Sequence, residues 1–241
     1  AGLALPAVAA TLGWRWAYGF AVLLALVALA VIPAVEPPVP RVAKGTRFRP
    51  SRPLVLVAVG AGFAAAGVAS IGAFLVRSAT DAGFSDTAAG LLQVVGSITL
   101  ISTRVGWGWL MDRHPLDRWR FAAALLAVGA MGFPLLASGN HGAMIVGAVL
   151  AFGAAWSWPG VVHLGTVETN PDATGAASGM VQAGIFAGAT VGPALFGVLA
   201  DQHGFRWAWM LSFSFAATAS ALIAFGAARQ RTLLRSASRA R

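Results

Sequence analysis

Long apolar stretches alternate with short polar ones along this chain. Seven run far enough to cross a bilayer as helices: about Tyr18–Val35, Leu54–Val76, Thr87–Met111, Phe121–Ala137, Ala143–Thr166, Gly175–Ala200 and Trp207–Ala228. A span across about 30 Å of hydrocarbon takes roughly 20 apolar residues. An eighth piece, Ala1–Leu12, reads as the tail of a further span. The pattern predicts an all-α membrane protein with seven full spans plus part of an eighth. The polar intervals are short except for Glu36–Pro53, where Pro37, Pro38, Pro40, Pro50 and Pro53 forbid a continuous helix. The predicted organisation is the end of one helical half (1–35), a linker (36–53), a six-helix bundle (54–228) and a basic tail (229–241).

Composition agrees with this pattern. Of 241 residues, 58% are apolar and 10% charged, against about a quarter charged in soluble domains. An ordinary soluble protein, a disordered chain and a nucleic-acid module are excluded, so the expected partner of the net +9 charge is the lipid bilayer and not nucleic acid. The basic residues cluster between spans. The linker holds Arg41, Lys44, Arg47, Arg49 and Arg52, a later loop Arg113, Arg118 and Arg120, and the tail Arg229, Arg231, Arg235, Arg239 and Arg241. The opposite side has only Arg15, Arg77 and Arg206. Basic loops stay inside, which places the linker and the C-terminus in the cytoplasm of a multi-pass protein of a plasma or inner membrane. The stretch Val167–Thr174, on the same side, carries no basic residue. With no Cys there is no disulfide or thiolate metal site. No metal cluster or phosphate loop stands in the sequence, so no cofactor is expected.

The chain also repeats itself. Gly13-Trp14-Arg15-Trp16-Ala17 and Gly204-Phe205-Arg206-Trp207-Ala208 each follow a proline-containing span and precede another, 191 residues apart. Two similar halves of about 190 residues would leave about 140 residues upstream of Ala1. The chain opens in apolar sequence, and a missing N-terminal half is the expectation. Aromatic anchoring at both interfaces is the plainer alternative.

Gly106-Trp107-Gly108-Trp109-Leu110-Met111-Asp112-Arg113, with Arg118 and Arg120 beyond, resembles the loop motif G-x-L-x-D-R-x-G-R-R of the major facilitator superfamily. Gly108, Leu110, Asp112 and Arg113 match; the later Gly is absent, with His114-Pro115-Leu116-Asp117 in its region. Gly192-Pro193 before Gly204-Phe205-Arg206-Trp207 is similar to the family's eleventh helix and its turn into the twelfth. Glu168, Pro171, Gly175 and Ser178-Gly179 are similar to its junction of helices ten and eleven, without the usual Arg. The resemblance implies a major facilitator-type bundle, from the end of helix five onward, that works as a secondary transporter by alternating access. It further implies that Asp112, Arg113 and Glu168, with Gly108 allowing close helix approach, latch the cytoplasmic side shut. Solvated loop charges are the alternative.

Polar residues inside the spans are the candidate site. Arg104 lies eight residues before Asp112, about 12 Å along a helix, near mid-depth, where an Arg costs roughly 2.5–3.5 kcal/mol. Gln93, Ser97 and Arg104 fall within about 40° of one another on a helical projection. Arg104, Gly108 and Asp112 have the spacing R-x-x-x-G-x-x-x-D, which resembles the family's monocarboxylate and organic-anion porters. Arg104 either receives a substrate anion or bonds to carbonyls of the bundle. Trp156, beside the expected bend at Trp158-Pro159, Gln182 and Phe186 on the next span, and Ser70 with Phe74 on Leu54–Val76 complete the expected binding set. His163 is either a helix–helix bonder or a proton carrier. No carboxylate is embedded in these spans, so proton coupling would fall to residues outside this chain or to the anion itself.

The leading expectation is a transporter of a small organic solute, an anion such as a monocarboxylate, by symport or antiport. The alternatives are a drug or metabolite efflux porter of the same superfamily, a non-transporting half-length bundle, and an intramembrane hydrolase using Ser157 and His163. The last lacks a supporting Asp or second His.

Overall fold

The structure is a computed structural model that describes residues 14–31 and 48–239. The chain forms two units, Ala1–Arg47 and Phe48–Arg241. Within the first, α1 (Trp14–Val31) is an apolar helix of 18 residues at the first predicted full span. Ala1–Leu12, the Pro6–Gly13 part of the repeat and the linker up to Arg47 lie outside the described residues.

In the second unit, six helical segments are long and apolar enough to cross a membrane. They comprise α2 (Arg52–Asp81), α3 (Asp86–Arg113), α4 (Arg118–Ala130) with α5 (Gly132–Ala137), α6 (His141–Leu150) with α7 (Trp158–Thr169), α8 (Thr174–His203) and α9 (Phe205–Arg239). Polar caps carry the helices beyond their apolar cores. Ser51 accepts from the Leu54 amide, Ser85 from Ala88, Asp117 from Arg120 and Asn140 from Ala143, each satisfying a donor the first turn leaves free. At the other end, α9 continues through Arg239. After Ala228 the chain is Arg, Gln, Thr, Leu, Ser and Ala with no Gly or Pro to stop the helix.

Two spans are broken, and each break lies just upstream of a proline. Pro134 has no amide for the Ala130 carbonyl, and the helix parts at Met131 between α4 and α5. Pro159 likewise leaves the Ala155 carbonyl free. Upstream of it the backbone widens into a π turn over Ala151–Ala155, where Trp156 N–H reaches back to the Ala151 carbonyl, 3.0 Å.

The centre of the bundle is α2. Its buried positions Leu54, Val57, Ala58, Ala61, Ala64, Ala65, Val68, Ile71, Leu75 and Ala79 recur at three- and four-residue steps. Lipid is as apolar as these side chains, so close packing rather than expulsion from water must hold helix to helix. On α8, Gly184, Gly188 and Gly192 lie against the carbonyls of Ala58, Gly62 and Ala66, one turn per step. Both series rise together, so α2 and α8 run parallel. A Cβ at any of the three would collide with backbone. On the opposite side α9 runs antiparallel to α2, with Gly67 near Ser212 and Gly60 near Ile223. There the Trp209 indole N–H donates to Ser78 Oγ, 2.8 Å, in the interior. The α3 and α8 spans are the least buried of the six, and α2 the most.

Candidate functional site

Arg104 sits on the exposed side of α3, and its Nη2 donates to the Trp156 carbonyl at 2.9 Å. That carbonyl belongs to the break between the π turn and α7, where regular helical bonding is interrupted. Among the described residues no carboxylate comes within ion-pair distance of Arg104. The guanidinium therefore has a neutral partner and keeps its charge on an open face of the bundle.

Shape complementarity locks α3 to the broken helix. Phe152 occupies the space a side chain at Gly96 would take, and Gly153 receives the methyl groups of Thr99 and Thr103. Phe152 is buried and stacks under Trp156, centroids 5.5 Å apart. The far edge of the Trp156 ring in turn rests at Gly72 of α2. Beside Arg104, Thr103 Oγ1 lies 3.0 Å from Ser157 Oγ. Ser157 also donates to the Gly153 carbonyl, 2.8 Å, and Thr103 to that of Thr99, 2.8 Å. Thr103 Oγ1 is also 3.2 Å from the Leu100 carbonyl, so two hydroxyl protons serve four contacts, and the bond across forms when one hydroxyl turns its proton from its own helix's carbonyls.

The other predicted binding residues are distributed as follows. Ser97 Oγ donates to the Gln93 carbonyl, 2.9 Å, while Gln93 Oε1 is buried without a partner. Ser70 is fully buried in α2, its Oγ also unpartnered. Phe74 stacks on Phe196 of α8, centroids 4.8 Å apart. On α8 itself, Gln182 is half-buried and Phe186 is 65% exposed. No hydrogen bond or ring contact among the described residues joins these two to Arg104. The structure thus brings together Arg104 and Trp156, and holds Ser70 and Phe74 within the packing. Thr103, Ser157 and Gly72, which the sequence reading did not place in the site, complete the cluster. For Thr103 the only signal was adjacency to Arg104; for Ser157 it was the position just before Trp158-Pro159.

At the Arg113 end of the bundle, Arg118 is the junction. It pairs with Glu168 Oε1 at 3.4 Å and donates to the Met111 carbonyl at 3.4 Å, tying the start of α4 to the ends of α7 and α3. Arg113 lies over the Trp109 ring, 3.9 Å from its centroid. Asp112 is exposed and has no ion pair among the described residues. Beside Gly108 there is open space. Ser157 and His163 do not meet, since His163 Nδ1 faces the Pro159 carbonyl at 2.9 Å. A carbonyl can only accept, so Nδ1 carries the proton in that pair.

Apart from the Arg104 cluster, a concavity of about 530 Å³ lies between α2 and α8 and is lined by apolar side chains including Val59, Phe63, Met180 and Val191.

The Major Facilitator Superfamily model matches residues 1–175 and again residues 57–240. The chain belongs to the major facilitator superfamily. As a member of this family of transporters it is a multi-pass integral membrane protein, and its helices form part of a major facilitator bundle. A search of curated proteins finds no match to the chain.

Proposed function

We propose that this major facilitator protein is a secondary transporter of a small organic anion such as a monocarboxylate, and that Arg104 receives the anion's carboxylate. The observation that carries this reading is the charge of Arg104. It stands inside a membrane span, on an open face, with a neutral carbonyl as its hydrogen-bond partner. A buried or lipid-facing charge in that state is costly, whereas an anion arriving from water neutralises it. Trp156, anchored on Phe152 and at Gly72, supplies an apolar wall next to the carboxylate. Gln93, Ser97, Gln182, Phe186, Ser70 and Phe74 remain in the proposed wider binding set, closed by a second helical half. Asp112, Arg113, Gly108 and Glu168 remain the proposed latch on the cytoplasmic side, which also holds the linker and the C-terminus. The anion itself is the proposed carrier of any proton coupling.

Uptake of labelled acetate, lactate, pyruvate and benzoate into vesicles containing the full native chain tests the reading. Replacing Arg104 by Ala removes a charge-assisted pair worth about 1.5–3 kcal/mol, and uptake of the best of these anions should fall at least roughly tenfold at normal membrane insertion. Unchanged uptake would sink the Arg104 site.

Export of apolar compounds is the second reading, and the apolar groove between α2 and α8 favours it. It expects transport of lipophilic dyes that is indifferent to Arg104→Ala.

A further inference from the structure

The structure assigns Thr103 and Ser157 as positioning residues for Arg104, a role that rests on the anion reading above. The reasoning starts from the break in the span His141–Thr169. A continuous helix would turn every carbonyl of this segment into its own hydrogen-bond ladder and would offer none to α3. Here the π turn over Ala151–Ala155 and the turn at Trp156 and Ser157 interrupt the ladder before the next helix starts at Trp158, and the Trp156 carbonyl accepts from Arg104, 2.9 Å from Nη2. An arginine side chain has four rotatable bonds. One bond to a fixed carbonyl sets the plane of its fork, and its remaining donors point where the plane dictates.

The carbonyl is fixed only if the break is held in register against α3. The Thr103–Ser157 hydroxyl contact, at 3.0 Å, does this. It joins the residue before Arg104 to the residue after Trp156, so the two bonds close a small ring across the helix interface. Gly153, with the Thr99 and Thr103 methyls against it, holds the same two helices one turn away. Ser157 is buried and Thr103 half-buried. Both have a local backbone acceptor already, which makes the cross-helix bond a choice the geometry imposes rather than the only way to satisfy them. In this arrangement neither residue touches the anion; each acts through the direction of the Arg104 fork.

The test is a set of variants in the full native chain, read as KM and Vmax for whichever of acetate, lactate, pyruvate or benzoate the wild type transports best. Thr103→Val keeps the shape and removes the hydroxyl. KM should rise about three- to fivefold with Vmax per inserted molecule little changed, the range expected for one interhelical hydrogen bond within a membrane. Thr103→Ser restores the donor and should return KM to the wild-type value. Ser157→Ala should raise KM by the same factor, and the double variant should be no worse than either single one, because both remove one bond. If Thr103→Val does not insert, Ser157→Ala carries the test alone. Uptake that depends on Arg104 with a KM unmoved by Thr103→Val or Ser157→Ala overturns the positioning role and leaves the anion site standing. Uptake indifferent to Arg104→Ala, or no uptake of any of the four anions by wild type, overturns the anion reading and this role with it. A rise in KM that Thr103→Ser fails to reverse reports a packing defect and likewise overturns the assignment.

Discussion

The parallel contact between α2 and α8 makes a sharp prediction, because two glycines of one helix should respond to the same substitution with opposite sign. Gly188 faces the Gly62 carbonyl so closely that an added methyl group would overlap backbone atoms of α2, including the Gly62 carbonyl carbon at 2.7 Å and Cα at 3.0 Å. None of these atoms can swing aside as a side-chain tip would. Ordinary contact needs about 3.4 Å or more, so the helices must part by on the order of 1 Å along much of the ladder, and Gly184 and Gly192 lose their contacts as well. Overpacking of this kind costs about 1–3 kcal/mol, and rigid backbone on both sides puts Gly188→Ala at the upper end. Against it stands a gain of about 1 kcal/mol for replacing Gly by Ala within a helix. The net is a loss of about 2 kcal/mol, or roughly 4–8 °C in Tm for a chain of this size. Gly179 lies on the same helix and has nothing within 4 Å of a built Cβ, so Gly179→Ala keeps only the gain and should be neutral or stabilising. Thermal unfolding of the detergent-solubilised protein, followed by the loss of the monodisperse peak, compares the two. Equal melting temperatures for the two variants would refute the close-contact account of this interface.

Two further outcomes follow from single contacts. Trp209→Phe keeps the ring packing against Phe133 and Phe196 but strips the Ser78 hydroxyl of its buried partner; it should cost about 1 kcal/mol, with Ser78→Ala in the same background restoring part of it, measured by the same melts. Asp112→Asn should loosen the proposed latch: a Cys introduced at Gly106, the sole thiol in a chain that has none, should react faster with a membrane-impermeant maleimide from the cytoplasmic side, and an unchanged labelling rate counts against the latch.

The spans themselves were legible in the sequence because hydrocarbon tolerates little besides an apolar helix of fixed length. Each predicted span in the Phe48–Arg241 unit has its helix, and the caps at Ser51, Ser85, Asp117 and Asn140 account for the earlier starts of four of them. The bend at Trp158-Pro159 was legible as a proline effect. Its form was not. A proline removes the bond to the carbonyl four residues earlier, so the distortion appears upstream, as a π turn over Ala151–Ala155. The proline at 134 has the same consequence, a break at Met131 that the apolar pattern alone could not show, since both pieces are equally apolar. The four-residue spacing of Gly184, Gly188 and Gly192 puts them on one helix face but does not say which helix they meet. The site was legible one helix at a time. Gln93, Ser97 and Arg104 share a stripe by arithmetic, whereas the pairing of Arg104 with Trp156 and of Thr103 with Ser157 depends on how α3 is rotated and shifted against a broken neighbour. Periodicity within one segment carries no information on that offset. For the same reason Glu168 and Arg118 could each be singled out but not their pairing; fifty residues separate them in sequence.

The two readings left open for Arg104, anion receptor and carbonyl binder, turn out not to compete. A guanidinium has five N–H donors, and the Trp156 carbonyl takes one of them. A neutral acceptor satisfies part of the hydrogen-bonding demand without touching the charge. The bond lowers the cost of an arginine within a span but leaves its net charge in place. What the bond removes is torsional freedom, and a fork held in one plane loses less entropy when a carboxylate docks on it. Had a carboxylate of the bundle stood at 3 Å instead, Arg104 would be neutralised and its structural role complete. A neutral partner orients the residue and leaves its charge for the proposed anion. The structural bond thus raises the case for the functional one, and Arg104→Lys separates them. A lysine keeps the charge and gives up the planar fork, so anion uptake should persist with a KM raised more than Thr103→Val raises it. Uptake abolished as fully by Lys as by Ala would mean that Arg104 is needed for the fold of the break and not for the charge it carries.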